Sequence, residues 1–169
     1  MNKFLLLALI FVLHISSYSQ YSPKKSSFSY FSLGLYGGFT TDDFVLFDTS
    51  TLLEIKTNLT QQFFLHLSVG HYSIDKPEEN NEFNVTPVSF GLSYFILHGH
   101  SSPYIIMEAG YNFCQCSQAV KEDDFNLGLG AGLYYNMYEH LKMDFKYIYK
   151  YNHGFDNIHH MMVGFVYSF

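Results

Sequence analysis

The stretch FNLGLGAGLYYNM, residues 125–137, decides the fold. Its odd positions, from Phe125 and Leu127 through Leu129, Ala131 and Leu133, are apolar, while Asn126, Gly128, Gly130, Gly132 and Asn136 are small or hydrophilic. A repeat of two belongs to a strand, whose side chains point alternately to opposite faces. The glycines argue further against a helix, where each is worth about 1 kcal/mol less than Ala.

The same alternation extends along the chain in both directions. Eight segments carry it: Ser26–Thr40, Ser50–Leu59, Gln62–Ile74, Asn84–Leu97, Pro103–Gln115, Asp124–Tyr138, His140–Tyr151 and Ile158–Phe169. Longer or more polar connections (41–49, 75–83, 116–123 and 152–157) alternate with tight ones at Thr60-Gln61, at 98–102 and at Glu139. That is the layout of an antiparallel up-and-down sheet with one looped end and one short-turned end.

The chemistry of the hydrophilic face tells inside from outside. A soluble barrel turns bulky charged residues to water, but here the hydrophilic face is Gly, Ser and Asn with a few ions. Small residues are what a narrow eight-stranded interior holds. The other face repeats Leu, Phe, Tyr, Ile and Met in seven of the eight segments; the second, interrupted by Thr57, is the weakest. Strands of about 9–11 tilted residues cross a bilayer, and a closed barrel satisfies every backbone amide that hydrocarbon would leave bare. The expected fold is therefore an all-β, closed antiparallel transmembrane barrel of about eight strands. A soluble secreted barrel or sandwich is the competing reading.

Composition agrees. The 169 residues suit one domain, and 20% are aromatic, with 15 Tyr, 18 Phe and no Trp. Such rings favour pleated surfaces and membrane boundaries. All nine basic residues are Lys against 15 acids, for a net charge of −6. An acidic chain without guanidinium groups is a poor nucleic-acid binder. Residues 1–19 read as a secretory signal: Lys3 gives the positive start, Phe4–Ile15 the apolar run, and Ser17 and Ser19 the small residues before cleavage at Gln20. The run is too short to span a bilayer as a helix. A buried N-terminal helix is the alternative. The mature domain would occupy 20–169, with Gln20–Lys25 as a loose lead-in.

Several stretches resemble small outer-membrane β-barrel domain proteins of Gram-negative bacteria. They are TPVSFGLSYFIL (86–97) with SPYIIMEAGYNF (102–113), GLGAGLYY (128–135) with LKMDFKY (141–147), and the final VGFVYSF (163–169). The resemblance covers nearly the whole mature chain. It implies an outer-membrane location, a lipid and lipopolysaccharide surround, and a monomer. It also implies a C-terminal strand read by the barrel-assembly machinery through Val163, Phe165, Tyr167 and the final Phe169. A ligand would be met through the outer loops, of which the acidic segment 75–82 is the strongest candidate; a solvated loop with no partner fits it equally well.

Candidate chemistry is sparse. Glu54, Lys56, Glu108, Lys142, Asp144, Lys146 and Lys150 fall on the hydrophilic face, and enclosed ions need partners. They are expected to pair as a plug, with a narrow pore as the alternative. Cys114 and Cys116 share a face and an oxidising compartment, so a disulfide is open to them, although i, i+2 spacing on a straight strand suits one poorly. No cofactor is implied, and His98, His100, His153, His159 and His160 match no known metal-ligand spacing. The tail 157–169 is similar to the ends of lipid A deacylases, which carry a His-x-Ser pair in the preceding strand. Here 149–153 reads YKYNH, without the pair, whereas His71-Tyr-Ser73 lies in a different strand. A structural or surface-interaction role is thus expected, with lipid-directed hydrolysis as the alternative.

Overall fold

A computed structural model describes residues 31–42, 48–76, 81–116, 124–153 and 157–169. They form eight strands: β1 (Phe31–Asp42), β2 (Asp48–Asn58), β3 (Phe63–Lys76), β4 (Asn81–Phe95), β5 (Ser101–Cys116), β6 (Asp124–Asn136), β7 (Leu141–Asn152) and β8 (Ile158–Ser168). Each pairs antiparallel with the next, and β8 returns to β1, giving a closed barrel in sequential order. The seam runs from Ser32↔Ser168 to Asp42↔Ile158. At its lower end Phe169 N donates to Phe31 O at 3.0 Å. No edge is left unpaired, which is how a sheet survives among lipid. No helix among the described residues is long and apolar enough to cross a membrane; strands do so in this architecture.

The alternation sorts the wall as expected. Leu129 is 61% exposed and Phe165 54%, whereas Asn126 is 0% and Lys146 4%. Most leucines, phenylalanines and methionines thus face outward, with Leu52, Phe95 and Met162 turned inward among the ionised and amide groups of the lumen. Inside, large groups stand against glycines. A Cβ on Gly132 would run into the Tyr104 ring, and one on Gly164 into the Tyr36 ring. These two glycines let buried aromatics fit a lumen that eight strands leave just wide enough for side chains.

Most strand ends shift slightly from the sequence reading, and the shifts at β3 and β4 redraw their connections. Asp75 and Lys76 belong to β3 and pair with Glu82 and Asn81 of β4, so the acidic connection narrows to 77–80. At the opposite end β4 stops at Phe95 rather than Leu97, and the turn runs over 96–100. The tight turn at 59–62 is held by Thr60 Oγ1, which accepts from Gln62 N at 3.2 Å and Phe63 N at 3.0 Å, the local bonding that favours Thr in turns. The leader, the lead-in and residues 26–30 lie outside the described residues, as do 43–47, 77–80, 117–123 and 154–156.

Candidate functional site

Two ionic clusters and a set of amides fill the lumen. The first lies toward the short-turned end and joins β1, β2, β5, β6 and β7. Glu54 meets Lys56 at 2.6 Å and Lys146 at 2.5 Å. Lys56 continues to Asp144 at 3.3 Å and donates to the Tyr134 hydroxyl. Asp144 also accepts from Tyr36 at 2.7 Å and from Tyr104 at 2.8 Å. The Lys146 ammonium stands 3.7 Å from the centroid of the Tyr36 ring, a cation–π geometry. All these side chains are buried. Charge-assisted bonds of this kind offset the loss of hydration that a buried ion suffers.

Phe95 caps the cluster on the turn side. It stacks on Tyr134 with ring centroids 5.3 Å apart and packs against Phe64 at 4.5 Å. Ile106, Ile148 and Met162 join the same packed group.

The second cluster stands toward the looped end. Lys150 pairs with Glu108 at 2.8 Å and donates to Ser89 Oγ at 3.3 Å. His66 Nε2 lies 3.5 Å from the other Glu108 oxygen. Further along, Asn126 donates to Asn112 at 2.8 Å, and Asn112 donates to Asn152 at 3.0 Å. His160 shares a bond with Thr40 at 3.1 Å and meets the Tyr72 ring edge-on.

Among the described residues the buried ions therefore balance: Glu54, Glu108 and Asp144 against Lys56, Lys146 and Lys150. Lys142 is half-buried near the turns, beside the Tyr134 ring. The sequence singled out these seven residues but not their partners. Tyr36, Tyr104, Tyr134 and His66 are legible only by their parity on the strands, and His160 only as one of five scattered histidines, since no spacing rule links residues on strands far apart in the chain.

The remaining candidates are dispersed. Cys114 is buried, while the side chain of Cys116 lies outside the described residues, and the disulfide expectation with it. His71 and Ser73 share the outward face of β3; among the described residues no hydrogen bond joins them. Among the described residues no group of three His, Cys, Asp or Glu side chains could hold a metal. Val163, Phe165, Tyr167 and Phe169 all face outward.

No protein-family model matches the chain, and no curated protein does. Solved structures do match. Neisserial surface protein A superposes with a TM-score of 0.68 at 14% identity, over 85% of this chain and 98% of that one. Ail, the attachment invasion locus protein of Yersinia pestis, gives 0.58 at 20% identity, over 82% and 96%. The outer membrane enzyme PagL gives 0.54 at 14% identity, over 82% and 99%. At these identities the likeness shows the fold: this chain has the architecture of the small eight-stranded outer-membrane barrels.

Proposed function

We propose that this chain is an outer-membrane protein whose barrel is a sealed anchor and whose looped end carries a structural, adhesive or surface-binding role. The observation that carries this reading is the convergence of Tyr36, Tyr104, Lys56 and, through Glu54, Lys146 on the Asp144 cluster inside the lumen. Paired ions and stacked rings across the lumen support a plugged barrel, one that serves to hold what lies at its ends. Export through residues 1–19, cleavage before Gln20, and insertion through the outward-facing Val163, Phe165, Tyr167 and Phe169 complete the reading. Tight turns then face the periplasm and the four longer connections the exterior. Support for a surface role comes from the fold shared with an attachment protein.

Cell fractionation, gel migration with and without boiling, and planar-bilayer recording test the proposal together. A heat-shifted outer-membrane protein without conductance fits it. A soluble periplasmic protein, or steady unitary currents, overturns it.

Lipid hydrolysis is the second reading, favoured only by the fold shared with an outer membrane enzyme and by the common outward face of His71 and Ser73. His can activate a Ser nucleophile when the two are bonded. Unchanged lipid A in mass spectra of cells expressing the wild-type protein removes it.

A further inference from the structure

The outer wall is not uniformly filled. Across β6, β7, β8, β1 and β2 a groove of about 930 Å³ runs between the apolar side chains. Ala131, Gly37 and Thr51 supply little bulk, while Phe145, Met161 and Phe39 stand as walls, each more than 40% exposed. At Gly37 a Cβ would meet nothing within 4 Å. The lining follows the register rows Ala131↔Tyr147↔Met161↔Phe39↔Thr49 and Leu133↔Phe145↔Val163↔Gly37↔Thr51. Four interstrand steps of about 4.8 Å make such a row roughly 19 Å long. Because barrel strands are tilted, the row climbs the wall obliquely.

One polar feature borders this apolar band. Tyr147 Oη and His159 Nδ1 are bonded at 2.7 Å on the outer surface, and the rings of Tyr147 and Tyr149 both pack on the His159 imidazole. His159 lies one residue from the looped end of β8. A phenol can donate and accept together, and aromatic polar tips suit the boundary between hydrocarbon and headgroups.

We propose that this groove seats one acyl chain of a lipid A molecule of the outer leaflet, with the chain–sugar junction at the Tyr147–His159 pair. The inference rests on the outer-membrane reading above. The groove continues the lipid-facing wall, so its occupant is a chain of the surrounding lipid. The Tyr147–His159 pair that borders it reaches the looped end of β8, where the longer connections lie, which selects the outer leaflet. A phenol bonded to an imidazole offers both donors and acceptors, which suits amide, ester and hydroxyl groups, as carried where acyl chains join the lipid A sugars. Gly37 is the specificity-setting position, because any side chain there enters the space the acyl chain needs.

Native mass spectrometry of the detergent-purified protein, titrated separately with hexa-acylated lipid A and with dioleoyl phosphatidylethanolamine, tests this. The wild type is expected to retain one lipid A, and Gly37→Leu to lose at least tenfold in retention while keeping its heat-shifted migration. Tyr147→Phe should lose threefold or more. Equal retention by wild type and Gly37→Leu, no retention by the wild type, or equal retention of the phospholipid overturns the proposal. Fractionation separates the two failures: an outer-membrane protein whose lipid retention ignores residue 37 sinks the groove alone, whereas a soluble protein sinks the membrane reading beneath it.

Discussion

Lys146 of β7 and Glu54 of β2, separated by 92 positions in the chain, meet at 2.5 Å inside the barrel. Neither is accessible to solvent, so each ion's hydration has been exchanged for the other's charge. Removing one partner strands the other, which typically costs 3–5 kcal/mol, whereas replacing both is far milder. Glu54→Gln is therefore expected to lower urea-unfolding stability in lipid vesicles by about 3 kcal/mol. Adding Lys146→Met should recover part of that loss. A double variant no more stable than Glu54→Gln would break the coupling.

On the outer wall the sign of a charge substitution reverses. Leu129 sits at the middle of β6 and is 61% exposed. A lipid-facing Arg near the bilayer midplane costs about 2–4 kcal/mol in a transmembrane barrel. Leu129→Arg should lose that much in vesicle unfolding, while on a water-facing wall it would be neutral. An unchanged unfolding midpoint contradicts a lipid-facing surface.

Gly132 gives a steric prediction. Its missing Cβ leaves the space that the Tyr104 ring occupies, and Tyr104 is fixed by its bond to Asp144. Gly132→Val should destabilise by about 1–3 kcal/mol, as overpacking does. The same substitution in a Tyr104→Leu background should lose markedly less, read again from urea midpoints.

His98 lies in the 96–100 turn, stacked on Phe95 with 5.8 Å between ring centroids. Partial burial, and then the Lys142 charge, hold its imidazole below the ordinary histidine range. The folded chain binds this proton less readily than the unfolded one, so the contribution to stability is complete above the ordinary value near pH 6.5 and is lost as pH falls from there through the lower midpoint of the folded chain. NMR titration should place the His98 midpoint below that of an unfolded peptide, and Lys142→Met should raise it. A midpoint unmoved by Lys142→Met would remove the charge from the account.

Much of this architecture was legible because a strand's period of two is local. Residues 125–137 announce both the strand and its two faces, and the tight turns follow from where the pattern breaks. The β3–β4 boundary failed for a physical reason. Past the apolar band both faces turn polar, so Asp75 and Lys76 read as loop although the ladder continues through Asp75↔Glu82 and Lys76↔Asn81. The inward set of ions was likewise legible from parity, but not its wiring. Which carboxylate meets which ammonium depends on closure of the barrel, which brings Glu54 of β2 to Lys146 of β7. The polar pair on the outer wall left no sequence signal either, since Tyr147 and His159 become neighbours only through the β7–β8 register.

The β1–β8 seam has a further consequence for how the molecule is made. Until those two ribbons zip together, Glu54 and Lys146 ride at opposite margins of an open sheet, each still clothed in water. Lys56, on the same ribbon as Glu54, can neutralise it without the hoop, whereas Lys146 reaches it only once the hoop is shut. The completed cylinder thus carries an electrostatic reward that an open one lacks, and the ions that settle the lumen also favour its closing.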